Sequence, residues 1–238
     1  MLKQVTVCAA LFAGAAICSL LAQLALSWPA GTAAQHRCAE VAVDVAAPSP
    51  RDRALACSAA KHGLSLLKSC GISLRRHLHL EIMKELRHPT GLPALGFFDA
   101  KHERALIAQF EDVSSLVQGT PYAVLPLREL YRSLIIHEVV HAVMHQNLRR
   151  KALSHAAYEY PAYVLQIASF PATVRDRFLQ TAGRSTHHTD FLISDSVLLM
   201  DPFVFAARAY QHFRASANGS DHLVALLEDT TAFILRHP

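Results

Sequence analysis

Residues 133–147 read SLIIHEVVHAVMHQN, which sets His137, Glu138 and His141 into an otherwise apolar run. On an α-helix, residues four apart lie one turn above the other on one face, so both imidazoles can reach a single metal ion. Glu138, one position on from His137, is rotated about 100° away. That puts it beside the ion rather than on it, where a general base for water activation belongs. The flanking Leu134, Ile135, Ile136, Val139, Val140, Ala142, Val143 and Met144 leave no polar face, so this helix is expected to be buried on most sides. Unpaired ionisable groups are costly in such surroundings, and a divalent cation satisfies all three at once. Two core histidines bonded to backbone groups are the plainer alternative.

A tetrahedral catalytic zinc takes three protein ligands and keeps its fourth position open. Downstream, residues 154–166 read SHAAYEYPAYVLQ, with Glu159 eighteen positions after His141. On His137, Glu138, His141 and Glu159, the block 128–166 resembles the zincin metallopeptidases and, among them, the gluzincins, in which a Glu on the following helix completes the site. The resemblance implies a zincin-like α+β fold, with a small twisted N-terminal sheet over the active helix. It also implies Zn2+ held by His137, His141 and Glu159, with Glu138 as general base and a peptide or protein as substrate. The metzincin pattern does not fit, since it needs Gly at position 144 and His at position 147, and this chain has Met144 and Asn147. The block also resembles an uncharacterised family of bacterial exported proteins, which brings no function with it.

Two features depart from the gluzincin pattern. Many gluzincins carry an Asp four residues after the ligand Glu to orient a histidine. Here that position is Tyr163, so another group must orient the imidazoles. Pro161 removes a helical hydrogen bond and crowds the preceding turn, so the second helix either begins near it or kinks there. His145 and His155 are rival third ligands: His145 lies on roughly the right face but a turn too far along, and His155 serves only if Glu159 points away. Zincin hydrolysis develops an oxyanion that a Tyr or His commonly stabilises beside the metal. Tyr163 and His212 are the first candidates for that donor, ahead of Tyr158, Tyr160 and Tyr210, and core or surface roles would also account for each. His187 and His188 read as solvated loop residues.

The elements that must position these groups follow a leader. Lys3, the apolar run 5–26 and the small residues Ala30, Gly31, Thr32, Ala33 and Ala34 have the order of a secretory signal peptide cleaved after Ala34. Residues 35–238 then form one domain, in the bacterial periplasm or secreted. The apolar run is nearly long enough to span a bilayer, so an uncleaved inner-membrane anchor facing the periplasm is the alternative. Of five cysteines, Cys8 and Cys18 fall in the leader, while Cys38, Cys57 and Cys70 enter a setting where disulfides persist. Cys57 and Cys70 share one helix about 20 Å apart, beyond disulfide reach. Cys38 is therefore expected to pair with Cys57, leaving Cys70 as a buried or spare thiol. The net charge is +4. Its short basic clusters, Arg75-Arg76 and Arg149-Arg150-Lys151, lack interleaved aromatics or a basic stripe, so nucleic-acid binding has no support.

Residues 41–45 alternate as a short strand. Ser49, Pro50 and Asp52 give an N-cap, a first-position proline and an acidic third position, opening a helix to Gly71. Residues 78–83 have period-two patterning, and 95–98 and 104–110 read as strands joined by a turn. In the zincin fold that the resemblance implies, the edge strand lines the cleft and can pair with an extended peptide; the pattern leaves open which strand that is, with 104–110 the natural candidate. Pro126 opens the active helix and Asn147 ends it. Helices over 171–181, over 202–215 behind an Asp201 cap, and from Ser220 or Asp221 to Arg236 make the carboxyl-terminal half all helical. The residues point to an exported zinc-dependent hydrolase, leaning to a peptidase. A non-catalytic metal-binding or partner-binding protein on the same fold is the rival.

Overall fold

The computed structural model describes residues 35–148, 153–182, 193–216 and 218–228. Alternating side chains set the first strands: β1 (His36–Arg37) pairs antiparallel with β2 (Val43–Ala46), whose Val43 and Val45 are fully buried. Ser49 caps α1 (Pro50–Ser69), its hydroxyl oxygen accepting from the Asp52 amide at 3.0 Å. Pro50 stands at the start of that helix, where a missing N–H breaks no bond. The helix buries Ala56, Ala59, Ala60, Gly63 and Leu67 along one stripe and returns the chain to β3 (Leu78–Met83), parallel to β2. The expected hairpin follows as β4 (Gly96–Asp99) and β5 (Arg104–Ala108), and in its turn Asp99 Oδ1 accepts from the amides of Lys101 and His102.

The strand order β1-β2-β3-β5-β4 corrects one expectation. β5 is not the edge: it lies between β3, to which it is parallel, and β4, which is the edge itself. Ala105, Leu106, Ile107 and Ala108 are all buried, the unbroken apolar run of a strand covered on both faces. Phe110, read as the end of that strand, instead begins α2 (Phe110–Leu116), which leads to a 3-10 turn, Pro121–Val124.

α3 (Leu127–Asn147) packs between α1, the β4–β5 hairpin and α4 (His155–Ala168). Residues 133–144 are buried without exception, as the apolar flanks of the His and Glu residues require. Polar groups tie down both ends. Asp52, itself 1% exposed, accepts through Oδ1 from the Phe110 amide and the Tyr131 hydroxyl, each at 3.2 Å, and through Oδ2 from the Ser49 hydroxyl at 2.7 Å. One carboxylate thus joins the starts of α1, α2 and α3. At the other end Asn147 donates to the carbonyls of Ser73 and Val143, while Gln146 Oε1 accepts from the amides of Arg75 and Arg76.

α4 begins six residues before Pro161, capped by Ser154, and carries the proline in its interior. α5 (Ala172–Ala182), α6 (Asp195–Met200), α7 (Pro202–Ala215) and α8 (Gly219–Leu227) complete an all-helical second half among the described residues. Asp201 caps α7 as expected, accepting from the amides of Phe203 and Val204. The short α6 has no marked pattern in the sequence; its Asp195 accepts from the Ala156 amide at the start of α4. The 1–34 leader, the basic cluster 149–151, His187, His188 and the expected end of the last helix lie outside the described residues.

Cys38 and Cys57 form the expected disulfide, with their Cα atoms 5.4 Å apart, and Cys70 is a buried free thiol. Such a bond belongs to an oxidising, exported setting. No helix among the described residues is long and apolar enough to cross a membrane. Asp52→Ala, which strands the Phe110 amide and the Tyr131 hydroxyl in the core, is expected to lower unfolding free energy by about 2–4 kcal/mol. Urea unfolding followed by circular dichroism gives the difference from wild type.

Candidate metal centre

The apolar burial of α3 forces its two imidazoles inward, and α4 crosses the same face to bring a carboxylate to them. His137 Nε2 and His141 Nε2 stand 3.0 Å apart. Glu159 sets one oxygen 3.3 Å from the first nitrogen and the other 3.4 Å from the second. Donors bound to one ion at 2.0–2.1 Å in a tetrahedron are separated by about 3.3–3.4 Å. The spacing therefore fits three corners around one small cation, and His137, His141 and Glu159 form a buried group that could hold one. His137, Glu138, His141 and Glu159 are 5%, 3%, 3% and 8% exposed, so bulk water cannot solvate their charges.

Of the three candidate third ligands, only Glu159 is in that group. His155 is exposed at the first position of α4, and the ring of His145 packs against Phe98 of the edge strand. Rings enclose the imidazole pair: Tyr163 meets His137 edge-on at 4.7 Å, and Tyr158 stacks on His141 at 4.4 Å. His212 has other company, its Nδ1 lying 2.9 Å from the hydroxyl of Tyr160 and its ring beside that of His222.

Glu138 is not part of the donor group, and its carboxylate lies against the edge strand. A Cβ on Gly96 would fall 2.8 Å from Glu138 Oε1, so only glycine leaves the carboxylate its place. Glu138 Oε2 has no hydrogen-bond partner among the described residues. Burial raises the proton affinity of Glu138 above the ordinary carboxylate range, against the pull of both imidazoles. In Glu159 burial acts the same way but loses to the charge of His141 and to the contacts with both imidazoles, which bring it down to about 2. Burial acts to lower His137, and the neighbouring Glu159 more than reverses it, leaving that imidazole above its usual range. Two carboxylates of one site are thus pushed in opposite directions by their neighbours.

Two residues of this site escape the sequence reading. Gly96 had a signal, a glycine inside an apolar strand, which marks close approach of another group. Gln166, whose Oε1 lies 2.9 Å from His137 Nδ1, stands seven positions after Glu159, two turns along the same helix face. Its signal is a lone amide in a run of apolar residues, about one turn beyond Tyr163, where many gluzincins carry an Asp.

Residues 43–236 match a family of unknown function, DUF6639. The chain belongs to that family. No curated protein and no solved structure matches it. The stretch matched to DUF6639 takes in α3, α4 and the edge strand, and so every residue of the centre.

Wild-type protein is expected to carry one divalent ion per chain, and His137→Ala, His141→Ala and Glu159→Ala to lose it, as elemental analysis of purified material will show. Binding must displace any proton on His137, whose affinity for protons is raised. Metal affinity should therefore fall as pH drops through and below the raised range of that imidazole, with protons released on binding. Chelator competition across pH 6–8 measures the slope, and a flat profile would place the metal elsewhere.

Proposed function

We propose that this chain is an exported zinc-dependent hydrolase of the gluzincin kind, with peptide bonds as its target. The observation that carries the reading is a spare carboxylate. Glu138 is buried beside three converging donors without being one of them, and its environment raises its proton affinity. Imidazole and carboxylate donors in that number and spacing suit zinc. A zinc ion held there supplies Lewis acidity, polarising a carbonyl and bringing the ionisation of water close to neutral pH.

The remaining work falls to the chain. Glu138 takes a proton from the attacking water and returns it to the leaving amine, and a carboxylate whose pKa has moved toward the working pH does both better. Among the described residues β4 is the edge of the sheet beside Glu138, and in this proposal an extended substrate lies along it with the scissile bond against the site. Tyr163, whose ring already touches His137, is the proposed donor to the developing oxyanion. His212 is the less direct candidate, since its contact with this region runs through Tyr160. The Cys38–Cys57 disulfide supports an exported protein.

One observation favours the rival reading, a structural ion in a partner-binding protein: all four ionisable groups are under a tenth exposed, and closed sites are typical of structural zinc. A broad peptide library separates the two. The hydrolase should give cleavage that a chelator abolishes, and Glu138→Gln should keep its zinc while losing about 10²–10⁴-fold in rate. Bound zinc with no chelator-sensitive cleavage would favour the structural ion, and full activity in Glu138→Gln would end the proposed mechanism.

A further inference from the structure

We infer that Gln166 fixes the proton of His137 on Nδ1 and so presents Nε2 as the metal donor, a task that falls to a carboxylate in many metal sites. The inference rests on the metal-site reading above. The orientation of the amide follows from its neighbours. Ser133 gives its hydroxyl proton to the Leu130 carbonyl at 2.7 Å, so toward Gln166 it can only accept. The amide nitrogen of Gln166 therefore lies on that side, donating to Ser133 Oγ at 3.3 Å and to the Tyr122 hydroxyl at 3.0 Å. Both amide protons are then engaged, and Oε1 is left facing His137 Nδ1 at 2.9 Å.

That contact needs a proton on Nδ1. A neutral imidazole carries one N–H, so the lone pair is on Nε2, the atom that faces His141 and Glu159. Gln166 is 1% exposed, and water does not compete for these bonds. His141 is held differently: its Nδ1 has no hydrogen-bond partner among the described residues, and the stacked ring of Tyr158 sets its plane. The effect of Gln166 is thus confined to one ligand.

The choice of amide over carboxylate has a chemical consequence. A hydrogen bond to an ionised acceptor is roughly twice as strong as one to a neutral acceptor, and a carboxylate partner makes a ligating imidazole more basic. Gln166 orients His137 without enriching it, so an ion bound there would be held less tightly and would be the stronger Lewis acid.

The test compares wild type, Gln166→Leu and Gln166→Glu in the full chain, by zinc competition with a chromophoric chelator and by proton NMR of the cobalt(II)-loaded protein. Gln166→Leu should bind zinc about 10–100-fold more weakly, and Gln166→Glu should bind at least as tightly as wild type. Cobalt-loaded wild type should show a strongly shifted, slowly exchanging N–H from His137 that is lost in Gln166→Leu. Equal weakening in both variants would mean that Gln166 only packs, and wild-type affinity in Gln166→Leu would overturn the inference while leaving the metal site standing. A wild-type chain that binds neither ion removes the site and this inference together. Should Gln166→Leu fail to fold, Gln166→Glu and the wild-type cobalt spectrum decide, with no slowly exchanging shifted N–H counting against the inference.

Discussion

Ionisable groups in a dry interior must satisfy one another, and this constraint organises the molecule. His137, His141 and Glu159 meet inside a helix pair that offers no solvent and few other polar atoms. Separately each would be expensive to bury; together they compensate, with the carboxylate lowered and His137 raised by their contact. A cation bound by all three would complete what the pairwise contacts begin. Glu138 is the carboxylate of the site left outside this arrangement, and its upward shift follows first from burial and then from the charge of Glu159.

The fold supplies the walls. A helix as apolar as α3 must be covered on nearly every side, and α1, the β4–β5 hairpin and α4 do so. Small residues along α1 let it run close alongside, and the glycine of the edge strand leaves room where a side chain would have displaced Glu138. The same packing that excludes water from the imidazoles places the edge strand next to the carboxylate of Glu138.

Much of this was legible in the sequence because it is local. Four-residue spacing puts His137 and His141 on one face by helix geometry alone, and Ser49 with Pro50 and Asp201 with Pro202 mark two helix starts through capping chemistry. The disulfide followed from the distance between two cysteines on a helix. What escaped is set by long-range pairing. The sheet order depends on β5 inserting between β3 and β4, a pairing between segments distant in sequence that no local pattern specifies. Gln166 escaped because its partners, Tyr122, Ser133 and His137, come from two other elements. Pro161 left two possibilities open, a helix start or a helix interior, and it sits within α4.

The clamps at the two ends of α3 limit how this protein can change over generations. Asp52 holds Tyr131 near the first turn, and Asn147 and Gln146 hold the last turn to the loop before β3. Inserting or deleting one residue between these anchors would swing everything beyond it by about 100° and slide it by about 1.5 Å. The imidazoles would then face the wrong neighbour even if every side chain were kept. Within that span, descendants can exchange one apolar residue for another far more freely than they can gain or lose a position.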